Sequence, residues 1–510
     1  MAYQNPFASR IQDYAQRFPD KIFLESVDQG KSITYGQLDD VTGRLAGFLA
    51  AKGVGVSQRV TLLSGNSLEH LVVFLGVLRR GATVCTINTD TNRDYLPQIL
   101  AALRTRLLLF EDAALIEGLE GCPVEEWQAL GDWQPAGGSG LFGVLAGRPS
   151  TAPTPSVCGP HDDAVIVYTS GTTSMPKGAV IGFSELAINV DSIAETLALR
   201  ADDRMLEFRS LNWVSAQELG GLAPLFRGAT LLLARKFSQS HYFEWLRDYR
   251  ATIGVCNPTG IAMLVNRPVP IKAADLPGLR FVTSSSAALT AEHWRAFEAM
   301  YGIPIAQGYG SSEALWIACS NEHNRRFCSV GRPFPSQKIA IVDDDGSALP
   351  PGEAGEVEVG GDPETRYRYL RYDGTVETTS TGRIRPGDIG YLDPDGYLYL
   401  TGRTRELIIR GGVNISPIEI DNVLLEVPGV AEAAAVGVPD RIYGEEVVAF
   451  LVSKPGEKLS AELVLEHCRG RLPALKIPKQ IFFCENLPKN DRGKLDRKAL
   501  ANDWKLQRTA

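Results

Sequence analysis

The run Tyr168-Thr169-Ser170-Gly171-Thr172-Thr173-Ser174-Met175-Pro176-Lys177-Gly178 carries two glycines, six hydroxyl side chains and one lysine. Small residues let backbone N–H groups approach an anion closely, hydroxyls add donors, and a lysine brings a mobile positive charge suited to a polyphosphate. The spacing is not that of a Walker loop, which needs lysine directly after glycine and before Ser or Thr. A polar surface loop has a similar composition, so the run alone leaves both readings open.

Four later stretches carry chemistry of a matching kind. Gln307-Gly308-Tyr309-Gly310-Ser311-Ser312-Glu313 follows a strand, offers flexible backbone to a ligand and ends in a carboxylate. Arg385-Pro386-Gly387-Asp388 sets a carboxylate at a turn. Gly402-Arg403-Thr404-Arg405-Glu406 runs on towards Gly411-Gly412 and Ser416-Pro417, and Pro488 to Arg497 puts Lys494 on a loop near the C-terminus.

The surrounding patterns say what positions these residues. Ala164 to Val167 reads as a buried strand and Gly182 and Ser184 lead into a helical pattern, which makes the central run a strand-exit loop. Upstream, Phe7, Ile11, Tyr14 and Phe18 have helical spacing ended by Pro19. A second helix starts near Thr34 and stops at Gly53, and strand and helix patterns then alternate. Strands are expected at Thr230 to Leu233, Thr252 to Val255, Arg280 to Thr283 and Pro304 to Ala306. Ligands in such sheets gather at the carboxyl ends of the strands. Residues from about Pro135 to Pro160 read as a long surface connection.

Beyond Gly331 short strands separated by turns suggest a small β subdomain. From Gly402 the chain reads as a separate α+β unit, with a capping box at Ser416 and Glu419. The fold class expected is α/β: a large N-terminal domain of parallel-rich sheets with helices and a small β subdomain, residues 1–401, then a small mobile α+β domain, residues 402–510.

Composition narrows the classes. The 510 residues are 44% hydrophobic and 22% charged, with a net charge of -8, so there is no basic footprint for nucleic acid or an anionic membrane surface. The longest apolar candidate, Leu71 to Leu78, is too short to span a bilayer. The eight cysteines show no CxxC pair or metal-ligand spacing, and the start of the chain lacks a secretory pattern, so a cytoplasmic protein with buried thiols is expected.

Taken in order, these motifs resemble the adenylate-forming superfamily of acyl-CoA synthetases, nonribosomal-peptide adenylation domains and beetle luciferases, over essentially the whole chain from Phe7 to Lys494. The resemblance implies that two domains close over ATP and that a carboxylate attacks the α-phosphorus to give an acyl-adenylate and pyrophosphate. The small domain then rotates and a thiol displaces AMP. Attack of one anion on another calls for charge neutralisation and in-line positioning more than for a protein nucleophile.

By the same resemblance Lys494 is the catalytic lysine and Glu313 the Mg2+-binding glutamate. Asp388 binds ribose, and Arg403 contacts the nucleotide. Thr169, Ser170, Gly171, Thr172, Thr173, Lys177, Ser286, Gln307, Gly308, Tyr309, Gly310 and Ser312 complete the ATP and AMP contacts. Arg405 takes the hinge position, where the family usually has Asp or Lys, and Gly411 and Gly412 line the channel for CoA.

Arg209 to Gln217 aligns with the aromatic gate that in many relatives reads Pro-Leu-Phe-His-Val-Asn-Ala-Gln. Trp213 therefore stands where histidine is common. An indole there would shorten the acyl pocket, although a packing tryptophan is the commoner use. The pocket set is Arg209, Trp213, Val214, Gln217, Ser284 and Ser285. Ser284-Ser285-Ser286-Ala287 replaces a Ser-Gly-Gly-Ala pattern, and Arg209 could pair with a second anionic group on the substrate. The expected substrate is thus a short, polar, even doubly anionic acid, used with ATP, Mg2+ and CoA by a monomer or homodimer. A stand-alone enzyme that loads a carrier-protein thiol is the alternative. A luciferase-like use of the adenylate is a remoter one. A non-catalytic relative would be expected to have lost Lys494, Glu313 or the central loop.

Overall fold

The computed structural model describes residues 3–135, 137–149, 158–168, 176–361, 363–489 and 494–509. Among them the strands form four extended sheets and one small ribbon. The first sheet runs from Val376–Thr381 through Arg366–Leu370, Gly178–Gly182, Asp163–Tyr168, Thr83–Ile87, Arg59–Leu63 and Leu107–Phe110 to Trp127–Ala129. The last five of these strands are parallel neighbours. The second sheet sets Thr230–Leu233, Arg204–Glu207, Ile253–Cys256, Phe281–Ser284 and Ile305–Ser311 in parallel, with Ile22–Ser26 beyond Thr230–Leu233. Strands such as Thr83–Ile87 are buried at every position, as continuous β-branched and apolar runs require when both faces are covered.

The helix Leu68–Arg80 shows why the two sheets stay together. Every residue from Leu68 to Arg79 is buried, the mark of a helix enclosed on all sides. It shares one core with Phe7 and Ile11 of Pro6–Arg17, Leu38 and Leu45 of Tyr35–Ala51, and Phe183 of Phe183–Thr196. Tyr35–Ala51 starts where the sequence suggests, and Thr34 caps it with a full capping box through Gln37.

A third sheet contains Lys338–Val342, Gly355–Gly360, Asp388–Leu392 and Leu398–Arg403. Residues from 408 to 483 build a fourth, with Val430–Asp440 and Gly444–Ser453 as a long hairpin and a core that includes Ile415, Ile420 and Leu424. The final helix Arg497–Thr509, absent from the sequence reading, lays Leu500 and Trp504 against Val436 and Phe450.

Several local expectations are corrected. Gly178–Gly182 is a strand antiparallel to Asp163–Tyr168, so a second strand stands between the central run and the expected helix, which follows as Phe183–Thr196. Five residues of Gly-Ala-Val-Ile-Gly have no period that separates strand from helix. The surface connection contains the helix Gly140–Ala146, with Leu141, Phe142 and Leu145 buried. The Gln307–Ser311 stretch is itself strand, paired with Leu315–Cys319. Ser416 precedes Pro417–Leu425 without capping it. Its hydroxyl donates to Thr401 O, and Glu419 takes Lys476 instead.

Two histidines are fixed inside this frame. His70 Nδ1 lies 2.8 Å from Ser64 Oγ, and His293 Nδ1 lies 3.0 Å from Thr290 Oγ1. Burial lowers both to about 4, opposed by Glu111 at His70 and reinforced by Lys454 and Lys489 at His293. In the unfolded chain they take up protons near pH 6.5, so the unfolded state binds more protons between these values. Stability is therefore full above pH 6.5 and falls as the pH drops towards 4, by about 1 kcal/mol per pH unit for each histidine. Urea midpoints measured across that window should fall less steeply for His293→Gln than for the wild type; equal slopes would mean that His293 titrates normally in the folded protein.

Candidate active site

The parallel strands of the second sheet end on one edge, and that edge collects residues far apart in the chain. Arg204–Glu207 delivers Arg209, Phe281–Ser284 delivers Ser285 and Ser286, and Ile305–Ser311 delivers Gln307 to Gly310. Arg209 and Glu207 are both without solvent exposure at their side chains. Arg209 Nη2 donates to Glu207 Oε2 at 2.7 Å and Nε donates to Oε1 at 3.0 Å, while Nη1 reaches Ser285 Oγ at 2.8 Å and Nη2 also reaches Ser215 O at 3.2 Å. The guanidinium is thus already neutralised by its own chain. This corrects the expectation that Arg209 pairs with a second substrate anion: it stitches the gate to the serine run.

The residues after the gate form a π-helical segment, Gln217–Leu222, a geometry that re-aims side chains at functional sites. Gln217 Nε2 donates to Thr86 Oγ1 at 2.9 Å and to Leu211 O at 2.8 Å, leaving Oε1 without a partner. Glu218 is fully buried and neither carboxylate oxygen has a partner. Burial raises its pKa well above the usual range against the pull of Arg209. Val214 is buried and Trp213 half-buried.

Ser286 has φ 75, so this serine occupies the left-handed region that a glycine would take without cost. The hydroxyls of Ser284 and Ser286 are buried without partners. Gly308 is glycine for a reason other than ligand approach. A Cβ there would lie 1.9 Å from Trp316, whose Nε1 donates to Ser215 O at 3.3 Å.

A second cluster gathers on Asp388, which is buried and paired in register with Arg403 across the hairpin Asp388–Leu392 and Leu398–Arg403. Tyr309 Oη donates to Asp388 Oδ2 at 2.6 Å, and Arg403 Nε lies 2.9 Å from Oδ1. Burial and the neighbouring Asp388 raise the Tyr309 phenol, which stays a neutral donor. A carboxylate has further lone pairs beyond these two contacts, so it can also accept from a ligand diol. Gly387, at φ 80, makes the turn despite the Pro-Gly-Asp sequence.

A third cluster holds Glu313. Tyr369 donates its hydroxyl to Glu313 Oε1, and the Lys177 ammonium lies 5.6 Å from the Tyr369 ring centroid. Ser312 is half-buried. Thr169, Ser170, Gly171, Thr172 and Thr173 lie outside the described residues. In the C-terminal region Lys494 is half-buried next to Leu495, which bridges Lys489. Gly411 and Gly412, at φ 58 and 83, form the exposed two-residue turn between Ile408–Arg410 and Val413–Ile415. Arg405 is exposed on the short turn Thr404–Glu406.

Sequence reasoning passed over Glu207, Trp316, Glu218 and Tyr369. Glu207 had a signal, since an acid two residues before Arg209 at a strand end lies on the same face. The others depend on contacts between distant segments.

A family model described as AMP-binding enzyme matches residues 11–366, and one described as AMP-binding enzyme C-terminal domain matches residues 419–494. The chain belongs to the AMP-binding enzymes. Among similar proteins, the sulfoacetate–CoA ligase of Cupriavidus necator is 36% identical over 504 residues, 97% of either chain. The oxalate–CoA ligase of Arabidopsis thaliana is 32% identical over 97% of this chain and 98% of that one. The crystal structure of the anthranilate CoA ligase AuaEII with anthranoyl-AMP superposes with a TM-score of 0.88 at 25% identity, covering 100% of this chain and 99% of that one. This AMP-binding enzyme is accordingly an acyl-CoA synthetase of the adenylate-forming superfamily. No helix among the described residues is long and apolar enough to cross a membrane.

Replacing Arg209 with Met leaves Glu207 buried without its counter-charge and should cost about 3–5 kcal/mol of stability. The pair Glu207→Gln with Arg209→Met should recover most of that loss in a urea titration. An Arg209→Met protein as stable as the wild type would show that the ion pair has no such role.

Proposed function

We propose that this enzyme activates a short, polar carboxylic acid with ATP, releases pyrophosphate, and transfers the acyl group from the adenylate to CoA. The observation that carries this reading is that Ile305–Ser311 and the residues just after it link two of the clusters, Tyr309 holding Asp388 and Glu313 taking Tyr369, while Arg209 and Ser285 follow strands of the same sheet, in a chain matched along its length by CoA ligases.

In this reading Asp388 accepts from the ribose hydroxyls while Tyr309 and Arg403 hold its orientation. Ser286, with Gln307 to Gly310 and Ser312, faces the nucleotide, and Lys177 with residues 169–173 receives the phosphates. Among the described residues no cluster of three or more His, Cys, Asp or Glu forms a ready metal cage. Glu313 offers a hard oxygen donor, which fits a Mg2+ ion that takes its other ligands from phosphate and water. When bound, that ion neutralises charge on the phosphates. Lys494 neutralises the carboxylate and the α-phosphate during adenylation, so that one anion can approach the other. Residues 1–401 and 402–510 act as two bodies with a hinge near Arg405. After adenylation, rotation brings Gly411 and Gly412 beside the pantetheine thiol.

The acyl pocket reading rests on buried polarity. Ser284 Oγ and Gln217 Oε1, both of the pocket set, are buried with no hydrogen-bond partner among the described residues. Each such orphan costs about 1–3 kcal/mol unless a ligand satisfies it. A long alkyl chain satisfies neither, whereas a short acid with polar substituents can satisfy both. The named substrates of the two curated relatives, sulfoacetate and oxalate, are acids of that kind.

Pyrophosphate release from MgATP, measured with dicarboxylic, sulfonated, aromatic and fatty acids with and without CoA, should favour short polar acids and give an acyl-CoA mass. A strong preference for long-chain fatty acids would overturn the substrate class, and acyl-AMP without acyl-CoA would move the acceptor to a carrier-protein thiol. In the same assay Lys494→Ala should slow pyrophosphate release about 100-fold or more while calorimetry finds MgATP binding retained; unchanged release would remove the lysine from the mechanism.

A further inference from the structure

Tyr369 stands at the junction of two charged groups that sequence motifs treat as separate. It lies on Arg366–Leu370, where it is paired in register with Ala179 of Gly178–Gly182, just beyond Lys177. Its hydroxyl donates to Glu313 Oε1 and its ring faces the Lys177 ammonium. The segment is anchored at both ends. Arg368 forms a 2.5 Å ion pair with Asp163 at the root of Asp163–Tyr168, and Tyr372 donates its hydroxyl to Pro176 O. The strand therefore clamps the close of the phosphate run from its neighbouring place in the same sheet, and only Tyr369 of these side chains touches both charged groups.

We infer that Tyr369 is the positioning residue that couples Glu313 to Lys177, fixing the carboxylate by its hydroxyl and parking the lysine on its ring until the triphosphate arrives. The two contacts suit different tasks. A hydrogen bond to a carboxylate is directional and holds one oxygen, leaving the other to face the ligand. A cation–π contact at a partly exposed site is worth about 0.5–1 kcal/mol, weak enough to be exchanged for phosphate oxygens. The phenol is kept neutral by burial and by Glu313 itself, which raises its pKa, so it remains a donor at physiological pH. This inference rests on the nucleotide reading of the site given above.

The test is calorimetric binding to the full-length protein of ATP in EDTA and of ATP with excess Mg2+, for Tyr369→Phe, Tyr369→Leu, Glu313→Gln and the double variant Tyr369→Phe/Glu313→Gln. Tyr369→Phe keeps the ring and should leave metal-free ATP binding within about twofold of wild type while weakening MgATP about five- to tenfold, the net worth of one ordinary hydrogen bond. Tyr369→Leu should in addition strengthen metal-free ATP binding about two- to fivefold, because the lysine then has no ring contact to give up. The double variant should bind MgATP no more weakly than Glu313→Gln, because the hydroxyl acts through that carboxylate. Wild-type MgATP affinity in Tyr369→Phe, or losses that add fully in the double variant, would overturn the inference while leaving the nucleotide reading intact. A wild-type protein that binds no MgATP would defeat both. The conservative Phe variant carries the test if the Leu variant does not fold.

Discussion

Two opposite charges without solvent exposure, Glu207 and Arg209, set the terms on which the candidate site is built. Removing ions of this kind from water costs several kcal/mol each, and only good geometry with additional hydrogen bonds offsets it. Here the fork is two-pronged and its remaining donors reach Ser285 Oγ and Ser215 O. A Cβ on Gly220 would fall 2.5 Å from Glu207 Cγ, so the π-helical segment closes directly on the carboxylate. The gate, the serine run and the turn that follows the gate are held at fixed separations by one ion pair. Its energetic return is geometric definition rather than net stability.

The same economy explains where local rules are broken. Ser286 adopts a left-handed backbone and Gln217–Leu222 leaves the α-helical register, both beside buried polar atoms without partners. Strain and unsatisfied groups of this sort persist only where surrounding packing over-determines them. Ser286 thus holds, at φ 75, a conformation that glycine adopts without cost, and adds a hydroxyl there.

How much could be read in advance depended on the range of the interaction. The helices Pro6–Arg17 and Tyr35–Ala51, the parallel strands and the Asp388 turn follow from periodicity, capping residues and turn chemistry that are local. Asp388 and Arg403 were each identified by motif, and their register pairing across a hairpin explains why both motifs sit where they do. The strand Gly178–Gly182 was hidden because five residues show no period and one of its two partners, Arg366–Leu370, lies far along the chain. For the same reason Tyr369 escaped notice, being 56 residues beyond the Glu313 it holds. Ser416 and Glu419 show the opposite failure. A good local capping pattern was overridden by Thr401 and Lys476, which tertiary structure brought nearer.

The order in which this sheet system can close bears on its birth at the ribosome. Leu24 pairs with Leu231, and Gly178 with Leu370. At about 5–20 residues per second of synthesis, the first of these pairs waits on the order of ten to forty seconds for its partner to be made. For that interval Ile22–Ser26 and later Gly178–Gly182 present open backbone edges of apolar strands, the kind of edge that recruits foreign strands. Ile22–Ser26 has the small strand Ser32–Thr34 as an early neighbour on its other side, a local cover that limits the open edge to one flank. Gly178–Gly182 likewise pairs early with Asp163–Tyr168, so the nascent chain meets the cell with each waiting strand already half-covered.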